Sequence, residues 1–382
     1  MPTVLRTLPT AEAEGLLELT RDLARGELAP RVDEMEAGGQ FPREVFRTLG
    51  KAGLLGLPYA EELGGGGQSY EVYLQVLEEL GRVWAAVAVG VSVHTLACFP
   101  VAEWGTAAQR DRFLPEMLGG ELLGAYCLSE AHSGSDAAAL STRAVRQGED
   151  YVVDGTKAWV THGGHADFYN LMVRTGGPGP TGISCLLADA ATPGMSALAP
   201  ERKMGMRSSH TASMVLEGAR VPADRLLAGE GEGFRIAMSA LDSGRLGIAA
   251  CAVGLAQAAL DVAVDYAVGR RQFGSAIADF QGVSFLLADM ATGIEAARSL
   301  YLAAARLKDA GLPYAAQASM AKLFATDTAM RVTIDAVQIL GGYGYVEDFP
   351  AERYLREAKI MQIFEGTNQV QRVVIGRALT AT

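Results

Sequence analysis

The chain has 382 residues, 49% of them hydrophobic, and a formal net charge of -11. That length exceeds one hydrophobic core and predicts two or three domains, while the acidic balance argues against nucleic acid or an anionic membrane surface, which recruit clustered Lys and Arg. Cys98, Cys127, Cys185 and Cys251 are scattered with no C-x-x-C pair, and no basic-then-apolar leader opens the chain, so a reduced, cytoplasmic protein is the expectation.

Residues Ala11 to Glu36 place Leu16, Leu17, Leu19, Leu23 and Leu28 at helical spacing, and Phe41-Pro42-Arg43-Glu44 opens a second helix with proline near its first turn. The glycine run at 64–67 lacks a preceding strand and reads as a flexible turn rather than a phosphate cradle. A helix from Tyr70 to Arg82 follows. The run from Val83 to Val101 is the most apolar in the chain, yet it contains Trp84, His94 and Pro100 and is followed by Glu103, which reads as a buried core helix and not a membrane span. A helix over Ala107 to Leu118 completes an all-helical first third.

From Leu122 the texture changes to short β-branched and aromatic segments: Tyr151-Val152-Val153, Ala158 to Thr161, Tyr169 to Val173, Ile183 to Leu187 and Met214 to Leu216, separated by Gly, Pro, Asn and Asp. Closely spaced strands without an intervening helical period predict an antiparallel sheet or barrel. After Gly233, four helical stretches (234–269, 280–310, 314–340 and 351–379) with short connectors predict a four-helix bundle. The fold class is therefore α+β and multidomain: an all-α domain over 1–120, an antiparallel, barrel-like β domain over 121–228, and a helical bundle over 229–382.

Most common chemical motifs are missing. Gly177-Pro-Gly179-Pro-Thr-Gly182 matches G-x-G-x-x-G, but its prolines and the strand after it break the strand-turn-helix setting that gives the motif meaning. No Walker A, G-x-S-x-G or H-E-x-x-H sequence occurs. His162 and His165 are spaced H-x-x-H without a neighbouring Cys or carboxylate cluster, so no metal site is expected.

Three stretches ask for more than packing. Tyr126-Cys127-Leu128-Ser129-Glu130-Ala131-His132-Ser133-Gly134-Ser135-Asp136 runs from a strand into a hydroxyl- and glycine-rich loop whose donors can converge on ligand oxygens. Trp159-Val160-Thr161 puts a large ring and a hydroxyl on one face of a strand, suited to a flat ligand with a polar edge; a core tryptophan is the alternative. Gln338 to Asp348 ends a long helix in three glycines and two tyrosines. Near the C-terminus, Glu365 stands between the apolar run Ile360 to Phe364 and Gly366, a setting that raises a carboxyl pKa toward that of a working base; a helix-terminal glutamate is the alternative.

Together these segments resemble the acyl-CoA dehydrogenase family of flavoenzymes. Cys127-Leu-Ser129-Glu130 through Ser133-Gly134-Ser135-Asp136 and Ala139 resembles the family's first signature, and Gln338-x-x-Gly341-Gly342-x-Gly344-Tyr345 through Arg353 and Glu357 its second. Lys157-x-Trp159-Val160-Thr161, Met204-Gly205-x-Arg207, Arg270-x-x-Phe273-Gly274 and Phe280-Gln281 follow the family's order. The resemblance covers nearly the whole chain. Two departures stand in it: Ala131-His132-Ser133 where Pro and small residues are usual, and Ser129 where Thr is common. His210 also stands where the family often has other polar residues.

The resemblance implies FAD, with the flavin ring against Tyr126, Cys127, Leu128, Ser129, Gly134, Ser135, Trp159, Val160 and Thr161. Its adenosine and pyrophosphate end falls to Arg270, Arg271, Gln272, Phe273, Phe280, Gln281, Gln338, Gly341 and Gly342 of a neighbouring subunit. Thr367, Asn368 and Gln369 are assigned to the cofactor, and Ser135, Asp242, Arg245 and Gly366 to an acyl-CoA substrate. Glu365 takes the place of the catalytic base; some members carry it instead just before the arginine matching Arg245, where this chain has Gly244. The implied reaction removes the α-proton and passes a β-hydride to the flavin, giving trans-2-enoyl-CoA, with electrons continuing to an electron-transfer flavoprotein. A homotetramer built as a dimer of dimers is implied too. A flavin oxidase or monooxygenase on the same scaffold, and a catalytically silent assembly paralogue, are the competing readings, and acyl chain length is left open.

Overall fold

A computed structural model describes residues 6–380 of the chain. The first third is helical: α1 (Ala11–Leu23), α2 (Val32–Gly38), α3 (Arg43–Lys51), α4 (Tyr70–Val83), α5 (Ala85–Trp104) and α6 (Ala107–Leu118). The starts of α1, α4 and α6 are fixed by side-chain caps. Thr10 and Ser69 accept from Ala13 and Val72 amides, and Thr106 with Gln109 forms a reciprocal capping box. Helix α5 is apolar all round, as a helix surrounded by protein must be, and 94% of its apolar window is buried.

The glycine run at 64–67, expected to be a flexible turn, is instead packed. Amides of Gly65, Gly66 and Gly67 donate to the carbonyls of Ala60, Gly56 and Tyr59 at 3.1, 3.0 and 2.8 Å. A Cβ on Gly65 would lie 2.2 Å from the Tyr59 carbonyl oxygen, so backbone touches backbone there and only glycine fits.

The middle of the chain forms β1 (Gly124–Cys127), β2 (Arg143–Gln147), β3 (Asp150–Thr161), β4 (Phe168–Arg174), β5 (Ile183–Asp189), β6 (Met195–Ala197), β7 (Thr211–Pro222) and β8 (Leu226–Leu227). They make one eight-stranded sheet in the order β6-β7-β3-β2-β4-β5-β8, with β1 also paired to β4. The expectation of an antiparallel, barrel-like domain needs correction. The sheet is open, with β6 and β8 at its ends, and it is mixed, because both β1 and β2 run parallel to β4. Strand β1 arrives from helix α6 rather than through a hairpin, which frees it from the antiparallel direction a tight turn imposes.

The remainder comprises α7 (Gly233–Gly269), a two-stranded hairpin of β9 (Arg271–Gln272) and β10 (Ser275–Ala276), α8 (Gln281–Asp309), α9 (Ala315–Leu340), the short α10 (Gly342–Tyr345), α11 (Ala351–Met361) and α12 (Asn368–Thr380). The bundle is present, but its fourth stretch is broken into α11 and α12. Glu365 at φ +56° and Gly366 at φ +86° lie in the left-handed region, which no right-handed helix can continue through.

Helix α7 joins the two helical regions. It packs on α4 and α5 as well as on α8 and α9, and one hydrophobic core runs from Leu17 through Leu77, Leu246 and Ala321 to Met361. A Cβ on Gly254 of α7 would lie 2.3 Å from the Glu78 carbonyl oxygen of α4. Across the same junction the buried Glu78 accepts from Arg6, Arg298 and Tyr301. Burial works against its ionisation, but the flanking guanidinium groups of Arg6 and Arg298 outweigh it and hold Glu78 at about 2.

Candidate active site

The break between α11 and α12 is stapled to α9 from several sides. Lys322, a lysine with no exposed surface, donates to the Gly366 carbonyl and to Asn368 Oδ1, both at 2.9 Å. Asn368 Nδ2 donates to Thr326 Oγ1 at 2.9 Å and Asp327 Oδ1 at 2.7 Å, and Gln371 Nε2 reaches the Glu365 and Gly366 carbonyls at 3.2 and 2.9 Å. These bonds hold a non-glycine residue, Glu365, in the left-handed region, a conformation that surrounding structure must over-determine.

The carboxylate so placed points into the protein. Its Oε2 is buried and has no hydrogen-bond partner among the described residues. Burial pushes its pKa up to about 7, with the charges of Arg245 and Lys322 limiting the rise. A Cβ built on Gly244 of α7 would lie 2.6 Å from that Oε2, so the carboxylate occupies the space a side chain at 244 would fill. Beside it lies a partly open pocket of about 50 Å³ walled by Tyr59, Tyr70, Thr95, Leu96, Phe99 and Gly244. Glu103 and Lys308 also line it. Arg245 donates to Asp242 at 2.5 Å, and burial raises the Asp242 pKa against the opposing effect of Arg245 and Lys308.

On the sheet side, β3 carries a bulge between Lys157 and Val160. Trp159, at φ +62°, is turned out of the alternation and is 62% exposed, which excludes the core-tryptophan alternative; Val160 beside it is buried and Thr161 half-buried. The Tyr126 hydroxyl is buried without a partner among the described residues, and Glu365 is among the charges that act on it, so the two face one region. Cys127 and Leu128 are core, while Ser129 accepts from the Ala158 amide at 2.9 Å, tying the loop to β3. Gly134 and Ser135 are exposed at the loop tip. Its root is Glu130, which accepts from Ser141, Thr142 and Lys157, the last at 2.8 Å. Burial opposes ionisation there too, yet Lys157 prevails and holds Glu130 at about 2.

Arg270, Arg271, Gln272, Phe273, Phe280, Gln281, Gln338, Gly341 and Gly342 are all on the surface, with Phe273 96% exposed. No hydrogen bond, ion pair or ring contact among the described residues joins them to Tyr126, Trp159 or Thr161. Thr367 caps Val370, Asn368 is buried against Lys322, and Gln369 is exposed. His132 is exposed, 3.6 Å from Glu130. His210 bonds His165 at 2.7 Å and the Gly39 carbonyl at 2.8 Å, linking the sheet to the first helical region. No metal-holding group of His, Cys, Asp or Glu occurs among the described residues.

Sequence reasoning missed Lys322, Gln371 and the Lys157–Glu130 pair. For Lys322 a signal existed: a lone cation within Ala318, Ala321, Ala325 and Ala329, the buried stripe of α9.

Helices, an open mixed sheet and helices again, with a glutamate whose Oε2 is buried and unpartnered among the described residues in a helical break near a small pocket, define the class of molecule. Models of the N-terminal, middle and C-terminal domains of acyl-CoA dehydrogenase match residues 10–121, 125–219 and 231–380. An acyl-CoA dehydrogenase of Bacillus subtilis is 45% identical over 372 residues, 97% of this chain and 98% of that one. The structure of butyryl-CoA dehydrogenase from Megasphaera elsdenii superposes with a TM-score of 0.96 at 41% identity, covering 98% of this chain and all of that one. A chain solved in work on the electron-transferring flavoprotein of Acidaminococcus fermentans gives 0.97 at 42% identity, covering 99% and 100%. The chain belongs to the acyl-CoA dehydrogenase family of oxidoreductases.

Proposed function

We propose that the protein binds FAD and dehydrogenates a short, saturated acyl-CoA to the trans-2-enoyl-CoA, delivering electrons to an electron-transfer flavoprotein, as a cytoplasmic homotetramer. The observation that carries this reading is the Glu365 carboxylate, with Oε2 buried and unpartnered among the described residues, poised at about 7 and set against Gly244 in the wall of the pocket.

The residues present fit the flavin. An exposed Trp159 offers a flat face, the Tyr126 hydroxyl lacks a partner among the described residues, and Arg270 and Arg271 are exposed, Arg271 also donating to the Gly274 carbonyl, so that each can present a planar, multi-donor fork to phosphate. When bound, FAD supplies the two-electron acceptor for the substrate's β-hydrogen. Glu365 removes the α-proton, so that both C–H bonds break as the Cα–Cβ double bond forms. The Glu365 amide donates to no carbonyl among the described residues and is available to a thioester oxygen, where it stabilises developing enolate charge. Arg245, held by Asp242, keeps a buried cation beside the base.

The pocket is small, about 50 Å³, which favours a short chain. The similarity to a butyryl-CoA dehydrogenase points the same way, and the similarity to a chain studied with an electron-transferring flavoprotein supports that acceptor. The separation of Arg270 to Gln281 from Trp159 within one chain favours a second subunit completing each cofactor site. Exposed Phe285, Leu300, Phe324 and Ile334 on α8 and α9 offer an apolar face for it.

A panel of saturated acyl-CoA thioesters assayed with the yellow holoenzyme and an artificial acceptor tests this. The greatest kcat/KM is expected at four carbons, with a fall of about ten-fold or more by eight carbons, the scale of a few unaccommodated methylenes. Equal rates at four and twelve carbons contradict the short-chain reading, and rapid peroxide formation in air favours an oxidase.

A further inference from the structure

The buried cation of α9 has a part in this site beyond packing. Lys322 holds the segment that follows the base: its ammonium bonds the carbonyl immediately after Glu365 and the side chain of Asn368, the first residue of α12. A lysine with no exposed surface is rare unless its charge is used, since desolvating an ammonium is costly. Its two hydrogen-bond acceptors both belong to the turn that carries Glu365 and the start of α12, and a neutral apolar side chain in the same helical stripe would have served packing alone.

We infer that Lys322 is a positioning residue for the base: it fixes the left-handed turn that carries Glu365 and keeps the carboxylate beside a buried positive charge. This rests on the reading of Glu365 as the base. The groups around the pair are few. Glu365 faces Arg245 from α7, Lys322 from α9, Tyr70 from α4 and Tyr126 from β1, while Lys322 faces Glu365, Asp327 and Arg245. Burial lowers the lysine's pKa to about 7 against the opposing charges of Glu365 and Asp327, so lysine and base titrate over the same range and each favours the other's ionised form.

The test is Lys322→Met, an uncharged near-isostere, studied as holoenzyme by two readouts. The first is infrared titration of the Glu365 carboxyl band, identified by its loss in Glu365→Gln; the second is the pH profile of kcat/KM. Removal of the cation is expected to move both midpoints upward by about one unit, the low end of what a neighbouring opposite charge does to a carboxylate. From a midpoint of about 7, that alone lowers the rate at pH 7 roughly five-fold, with flavin content retained. Should Lys322→Met fail to accumulate with cofactor, Lys322→Gln, which can still donate to the Gly366 carbonyl, takes its place with the same expected shift. Wild-type midpoints in a folded, flavin-loaded variant overturn the inference. Glu365→Gln that still reduces its flavin overturns the base reading instead, so the two failures are distinguishable.

Discussion

At the scale of the residue, the site depends on one carboxylate being aimed by its backbone. Glu365 at φ +56° followed by Gly366 at φ +86° turns the side chain away from the α11 axis and toward Gly244. Gly244→Ala would put a methyl 2.6 Å from Oε2, and because the carboxylate is the flexible partner it moves while the fold stays. Steady-state kinetics of that variant should show kcat lower by about 10- to 100-fold, the cost of a reacting group displaced by about 1 Å, with flavin content unchanged. As the proposed base, Glu365 acts in its ionised form, so wild-type kcat/KM should rise with pH through a midpoint of about 7. The residue itself was legible in the sequence as a glutamate between an apolar run and a glycine. Its unpartnered oxygen and its contact with position 244 were not, because residues 121 positions apart in the chain meet only through the packing of α7 against the helical break.

At the scale of the element, helix α9 acts as the strut of the site and helices α4 and α8 as its frame. Glu78 on α4 and Arg298 on α8 are almost fully buried and bonded at 2.9 Å. Arg298→Met leaves that carboxylate with less than its full complement of cations, which should destabilise the protein by about 3–5 kcal/mol, read by calorimetry as a lowered Tm. Glu78 has a folded pKa of about 2, below its ordinary 4.5. A depressed carboxyl contributes stability above pH 4.5 and loses it as pH falls toward 2, so the gap between wild type and variant should narrow on acidification across that window. Most elements were legible from periodicity, including the wholly apolar α5. The sheet was legible as strands but not in its topology. Short strands with glycine between them look antiparallel in sequence, and only the entry of β1 from a helix reveals the parallel pairs. The bulge at Lys157 to Val160 likewise leaves no local mark, since it is set by register against β7.

At the scale of the whole molecule, one core joins the first and last helical regions, with the sheet set beside it, so the cavity and the base are built from opposite ends of the chain. Family resemblance gave the site's outline because its signatures lie at these junctions: the loop rooted on Glu130, the bulged strand and the glycine-rich end of α9. What it could not supply was chain length, since cavity size depends on how Tyr70 and Phe99 pack in space. The central claim is that Glu365 is the α-proton base of a flavin-dependent dehydrogenation, and anaerobic stopped-flow mixing of Glu365→Gln holoenzyme with butyryl-CoA tests it most directly. The account predicts a variant that keeps its FAD and yellow colour but whose flavin absorbance fails to bleach, slower than wild type by about 10³-fold or more; bleaching at near wild-type rate would contradict it.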